Sequence, residues 1–251
     1  MDSKKIFSDK VNYYVKYRPQ YPNEFIEYLI NGVGVSPASI VADVGAGTGI
    51  FTKLLAGKVK TIYAVEPNPD MRAACVEYCR GYKNFVAVDG SAEETSLPGH
   101  SVDFVTVAQA FHWFDAEKAK NEFQRILKPH GKVILVWNRD EENDFAQEYG
   151  ALRRKLFPDS WQDGSNGNGK NPAAYRTFFR EGKYDAKIFK TGNTVSLEQF
   201  IGASLSTSYA PSEKDEKFPA FIDGLTALFA KYSQDGQIRF RNHAYSYVGE
   251  V

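Results

Sequence analysis

Three glycines at alternating positions close the segment Val41-Ala-Asp-Val-Gly-Ala-Gly-Thr-Gly49, which joins a β-branched run to an amphipathic one. Such a turn bends the backbone sharply and lets it approach a ligand where a Cβ would intrude. A dinucleotide fingerprint has its third glycine three residues after the second, and Ile50 holds that position here. The spacing therefore suits a ligand without phosphate rather than a pyrophosphate packed on a helix start. Glu66 ends the next apolar run, 17 residues after Gly49, in Tyr-Ala-Val-Glu-Pro-Asn. A carboxylate at that place accepts hydrogen bonds from both hydroxyls of a ribose. Alone it would read as a solvated loop residue; one strand after a glycine turn it reads as a nucleoside ligand.

These residues need elements to hold them together. Between residues 40 and 137, apolar runs at 40–44, 61–65, 85–88, 102–108 and 133–137 alternate with amphipathic stretches at 48–56, 69–80 and 116–127. Short runs buried on both faces are strands of a parallel sheet, and the amphipathic stretches are the helices that cover it. Right-handed crossovers then place every strand's carboxyl end on one edge, where ligands bind in open α/β sheets. After Trp137 the pattern changes: 138–144 is polar, 145–157 reads as a helix, and 159–172, with its Gly-Ser-Asn-Gly-Asn-Gly centre, has the composition of a flexible surface loop. A strand near 187–190, helices near 197–206 and 220–231, and a final strand over 237–248 follow. In the last, Ile238, Phe240, Asn242 and Ala244 alternate with Arg239, Arg241, His243 and Tyr245, as in a half-buried edge or antiparallel strand.

Composition bounds the rest. The chain has 251 residues, 43% of them hydrophobic and 14% aromatic, enough for a full core. Its 31 basic side chains balance 31 acidic ones, so no overall field draws it to nucleic acid or an anionic membrane. No apolar run follows Met-Asp-Ser-Lys-Lys and none approaches a transmembrane length, which gives a cytoplasmic expectation. Cys75 and Cys79 lie four apart in a predicted helix, either as two small packed side chains or as a reactive pair; neither C-x-x-C spacing nor a nearby histidine supports redox or zinc chemistry. His100, His112, His130 and His243 show no ligand spacing, and no metal is expected. Oligomeric state has no signature.

The chain resembles the class I S-adenosylmethionine (SAM) dependent methyltransferases. The likeness runs through Asp43-Val-Gly-Ala-Gly-Thr-Gly49, Glu66, Val88-Asp-Gly-Ser-Ala-Glu-Glu94, the segment from Val102 to Asp115, and Arg125-Ile-Leu-Lys-Pro-His-Gly-Lys132. Gln109-Ala-Phe-His-Trp-Phe-Asp115 and Tyr17-Arg-Pro-Gln-Tyr-Pro22 are similar to the small-molecule branch, methyltransferase type 11, that includes trans-aconitate methyltransferase-like proteins. The likeness covers about three fifths of the chain and is weak over 141–251. It implies an α/β fold: a Rossmann-like, seven-stranded, mostly parallel sheet with helices on both faces and the last strand antiparallel. An N-terminal helical lid (1–35), a SAM-binding core (36–140) and a C-terminal part (141–251) that completes the sheet and carries substrate-side insertions go with it.

Residue by residue, the resemblance implies that Gly45, Ala46 and Gly47 lie under the methionine part of SAM and that Asp43 holds the turn or the amino group. Glu66 and the adjoining Pro67 would take the ribose; Asn68 or Met71 and the loop at Ser91 and Ala92 would enclose the adenine. Many relatives have an aspartate where Ser91 stands. Arg18 would pair with the SAM carboxylate, a surface arginine being the alternative, while Tyr13, Tyr14 and Tyr17 would exclude water or simply pack on the core. Gln109, His112 and Trp113 follow strand four and so would face the methyl end, with Gln109 and His112 as catalytic candidates and His112 orienting the acceptor or acting as its base. Asn138 and Arg139 form a second candidate acceptor clamp, Arg139 suiting a carboxylate or else salt-bridging the acidic run 140–144. The expected reaction is methyl transfer from SAM, leaving S-adenosylhomocysteine, to a small-molecule acceptor, a carboxylate being one candidate. The rivals are a SAM-binding protein without catalysis and a nucleotide-cofactor oxidoreductase, against which Ile50 and the Gln109–Phe114 segment argue. Methylation of RNA or protein lacks a basic groove or an Asn-Pro-Pro-Tyr-type motif.

Overall fold

The β-branched runs form strands because side chains buried on both faces leave the backbone to pair with its neighbours. The computed structural model describes residues 21–140, 143–158, 172–190, 193–207, 210–240 and 242–251. Arg18, Tyr13, Tyr14, Tyr17 and the glycine-rich stretch 159–171 lie outside the described residues.

In chain order the elements are α1 (Asn23–Tyr28, continued by a π-helical turn, Leu29–Val33), β1 (Ile40–Val44), α2 (Ile50–Leu55), β2 (Thr61–Val65), α3 (Pro69–Cys79), β3 (Phe85–Val88) and β4 (Val102–Ala108). A 3-10 turn (Phe111–Trp113) leads to α4 (Ala116–Ile126), β5 (Leu127–Asp140), α5 (Asp144–Leu156), α6 (Pro172–Phe178) and β6 (Asp185–Lys190). The chain ends with β7 (Asn193–Val195), α7 (Leu197–Leu205), α8 (Phe218–Tyr232), β8 (Ile238–Phe240) and β9 (Asn242–Gly249).

Seven strands make one sheet in the order β3-β2-β1-β4-β5-β9-β6. β1 to β5 pair in parallel, whereas β9 runs antiparallel to both β5 and β6. The order reverses between β1 and β4, which opens a crevice at the carboxyl edge of these strands. One face of the sheet packs Val105, Val107, Leu135 and Trp137 against Phe123 of α4 and Tyr175 and Phe178 of α6. The other packs Val41, Ile62, Ile134 and Val136 against Phe25 and Leu29 of the α1 segment and Phe51 and Leu55 of α2. A third cluster, with Tyr149, Phe200, Phe221, Leu225 and Phe229, joins α5, α7 and α8. Both excursions toward it leave the sheet at a carboxyl end, after Asp140 and after Lys190.

Three expectations change. The lid expected over 1–35 does not extend through its described part: Tyr21, Phe25, Leu29 and Val35 are buried under the sheet, with Tyr21 edge-on to Phe51 at 5.1 Å. The final strand is two strands in two sheets: β8 pairs with β7, while β9 enters the main sheet. β9 is antiparallel, one of the two expected alternatives, but lies inside the sheet rather than at its edge, and His243 is buried there. β5 runs on to Asp140 because β9 pairs with it as far as Asn242.

Candidate functional site

The glycine turn is tied down by its own amides. Gly45 and Ala46 donate to the Val65 carbonyl at 2.9 and 3.1 Å, Gly49 donates to the Ala46 carbonyl at 3.0 Å, and Gly47 donates to Glu66 Oε2 at 2.8 Å. With these donors turned inward, the turn offers little of the amide cradle that a phosphate requires, in line with the ligand read from its spacing. Gly47 has φ +57°, and a Cβ there would meet nothing within 4 Å. Gly49 has φ +83°, and a Cβ there would sit 2.6 Å from Cys75 Sγ and 3.1 Å from Cys79 Sγ. The first position keeps space open; the second lets α3 dock.

Facing Gly47 is a cavity of about 240 Å³. Gly45, Gly47, Glu66, Pro67, Asn68 and Met71 form one wall, Ser91, Ala92 and Glu93 a second, and Ala108, Gln109, Ala110, Trp113 and Phe114 a third. Glu66 is buried; its Oε1 accepts from Asn68 N–H at 2.9 Å, and its carbonyl accepts from Arg72 Nη1 at 2.6 Å. Burial raises its pKa, against the pull of the Asn68 and Gly47 amides and of Arg72. Asn68 caps α3, accepting from the amides of Asp70 and Met71. The Ser91 hydroxyl accepts from the Glu93 and Glu94 amides, both at 3.2 Å, so it builds the turn of the second wall. Glu93 links the second wall to the third: its Oε1 accepts from Asp115 N–H at 2.9 Å. Gln109 takes φ +61°, a strained conformation for a residue with a side chain, and its buried Nε2 has no hydrogen-bond partner among the described residues.

Of the residues singled out in the sequence, Gly45, Gly47, Glu66, Pro67, Asn68, Met71, Ser91, Ala92, Gln109 and Trp113 share this cavity. Others stand elsewhere. Asp43 is fully buried beneath the turn, where Thr52 Oγ1 and Thr106 Oγ1 donate to its two oxygens at 2.6 and 2.9 Å. Burial pushes its carboxyl up to about 6, against those two hydroxyls and with help from the Glu66 charge. Ala46 packs on the Ala64–Cys75–Cys79 cluster instead of the cavity. His112 is half-buried behind the third wall, its ring 4.7 Å from that of Trp113 and 5.3 Å from that of Trp137. A 3-10 turn puts i and i+3 on one side; Ala110 and Trp113 take the cavity side, and His112 falls off it.

Asn138 and Arg139 do not form one clamp. Both belong to β5, where successive side chains point to opposite faces. Arg139 lies on the Trp137 face, with Nη2 3.4 Å from the Tyr175 hydroxyl and its guanidinium 5.0 Å over the Tyr245 ring. Sequence reasoning missed Glu93, Ala108, Ala110 and Phe114, whose places on the wall depend on how the loops meet. Among the described residues, no group of three His, Cys, Asp or Glu could hold a metal ion, and no helix is long and apolar enough to cross a membrane.

Known proteins resemble this chain in sequence and in fold. A family model described as a methyltransferase domain matches residues 42–135. An uncharacterized methyltransferase-like protein of Schizosaccharomyces pombe is 32% identical, over 94% of this chain and 91% of its own. An uncharacterized methyltransferase of Mycobacterium tuberculosis is 40% identical over 58% of each chain. Among solved structures, one described as a type II methyltransferase from Anaeromyxobacter dehalogenans has a TM-score of 0.67 at 21% identity, over 93% of this chain and 98% of its own. A SAM-dependent methyltransferase from Geobacter sulfurreducens, solved with S-adenosyl-L-homocysteine, has a TM-score of 0.54 at 13% identity, over 97% of each. The likeness to these two is one of fold.

Proposed function

The chain belongs to the class I SAM-dependent methyltransferases, and from that premise we propose that it methylates a small-molecule acceptor, with the three-walled cavity as the cofactor site. The observation that carries this reading is the meeting of Gly47, Glu66, Ser91 and Gln109 on one cavity at the sheet's switch point. The open space above Gly47 admits the amino-acid end of the cofactor where any side chain would block it. Each Glu66 oxygen accepts one amide and keeps a lone pair for a ribose hydroxyl. Met71 and Ala92 present apolar surface from two walls for an adenine. When bound, SAM supplies a methyl group on a sulfonium, which an in-line nucleophile removes.

The chain's own contribution is alignment and exclusion of water. Gln109, held in its strained conformation, is part of the third wall, and Trp113 and Phe114 close that wall with apolar surface. His112 stands one layer back, against the Trp113 and Trp137 rings, and positions Trp113 from there.

Calorimetric titration with SAM, followed by incubation with labelled SAM and pooled small metabolites, tests the reading. Binding and label transfer to a small molecule are expected. Binding without transfer would leave a SAM sensor; absence of binding would remove the cofactor site.

A further inference from the structure

We propose that Glu93 selects the base of the cofactor, its Oε2 accepting a hydrogen bond from the exocyclic amino group of the adenine; this rests on the methyltransferase reading above. β1, β2 and β3 are parallel neighbours, so their carboxyl ends stand in a row on the cavity edge. The glycine turn follows β1 and Glu66 follows β2. A nucleoside whose amino-acid end lies over Gly47 and whose sugar meets Glu66 therefore carries its base to the loop after β3, one strand spacing of about 4.8 Å further on. That loop is the wall of Ser91, Ala92 and Glu93.

An exocyclic amino group is a donor and needs an acceptor once it leaves water. Most side-chain acceptors around the base are taken. Asn68 Oδ1 accepts from the Asp70 and Met71 amides, and the Ser91 hydroxyl accepts from the Glu93 and Glu94 amides, so the lone pairs of both are engaged. Each Glu66 oxygen already holds an amide, and the place it has left goes to the ribose. Gln109 stands at the end of β4 on the β5 side, where its backbone N–H donates to the Val136 carbonyl at 3.0 Å. Glu93 differs. It is half-buried on the cavity; Oε1 accepts from Asp115 N–H at 2.9 Å, and Oε2 has no partner among the described residues. The loop that carries it is fixed twice more to α4. Thr95 donates through its amide and its hydroxyl to Glu122 Oε1 at 2.8 and 2.5 Å, and Arg125, paired with Glu122, donates to the Leu97 carbonyl at 2.8 Å. Glu93 thus offers an acceptor that is held in place before the ligand arrives.

The test is calorimetric titration of the full chain with three compounds: S-adenosylhomocysteine, S-inosylhomocysteine, which has an oxygen in place of the amino group, and the purine analogue with a hydrogen there. The wild type is expected to bind S-adenosylhomocysteine about ten times or more tighter than either analogue, since a carboxylate oxygen left facing a carbonyl or a C–H loses its partner. Glu93→Gln keeps its one acceptor on the Asp115 amide and turns an NH2 to the base, so the preference over S-inosylhomocysteine should fall to about threefold or less, or reverse. Should Glu93→Gln fail to fold, Glu93→Asp, one methylene shorter, cannot hold Asp115 and reach the base together, and its preference should drop by about threefold or more. A side chain that only ties the loop to α4 would leave the ratio of affinities unchanged in either variant. That unchanged ratio, or a wild type whose preference falls short of the expected one, would overturn the proposal and leave the methyltransferase reading standing. A wild type that binds none of the three compounds would strike the cofactor reading and this proposal with it.

Discussion

Glu66 has two jobs, and its variants separate them. Its oxygens hold the Gly47 and Asn68 amides as well as facing the cavity. Glu66→Gln keeps an acceptor for one of the two amides, sets an NH2 against the other and loses the charge; we expect SAM affinity to fall about tenfold or more, from ~1.5–3 kcal/mol of charge-assisted bonding, with a smaller drop in Tm than on full truncation. Glu66→Ala should lower Tm as well, since two amides lose their acceptor. Equal Tm values for the two variants would mean that the tie to the turn contributes nothing. Asp43 gives a pH signature. Burial moves its carboxyl from 3.8 to about 6, so the folded chain retains a proton that the unfolded chain has released between those values. On this account stability is fully present below pH 3.8 and is lost as pH rises through about 6. Asp43→Asn carries no such charge, and its stability relative to wild type should rise between pH 4 and 7 by up to about 3 kcal/mol. A difference that stays constant with pH would show that the carboxyl titrates normally.

At the level of elements, the glycine turn and α3 depend on different glycines. Gly47→Ala meets no neighbour, so the chain should fold, at a cost of about 1–2 kcal/mol for the left-handed backbone, and lose SAM binding. Gly49→Ala drives a Cβ into Cys75 Sγ and should lower Tm further, with part of the loss recovered in a Gly49→Ala, Cys75→Ala pair. Thermal melts of the three variants check the order. Nothing in the spacing of the three glycines separates these roles; they appear only once α3 is in place. What the sequence did carry was periodicity and local chemistry: strands β1 to β4, helices α3 and α4, the turn and Glu66. It could not carry pairing. Residues 237–248 keep one alternation across two sheets, because alternation records which side is apolar and not which strand lies alongside. For the same reason Asn138 and Arg139 read as a clamp until the extension of β5 put them on opposite faces. Glu93 stayed silent because its partner, the Asp115 amide, is a backbone group that every sequence has.

For the molecule as a whole, the α5–α7–α8 cluster has a core of its own. Phe221, fully buried there, should cost about 3–5 kcal/mol when cut to alanine, and the loss should fall on that unit. Urea unfolding is expected to show an earlier transition, with S-adenosylhomocysteine still bound by the sheet; loss of binding in the same step would mean that the two parts unfold together. A clock is built in at the other end of the site. The chain contains two cysteines, both buried, with Cys75 seated over Gly49. A thiol reagent can strike them only while α3 swings away from the turn, so each alkylation counts one opening. Ligand that stays on only while the turn is closed slows the count by the factor 1 + [L]/Kd. The tempo of labelling would then measure cofactor affinity without any knowledge of the acceptor.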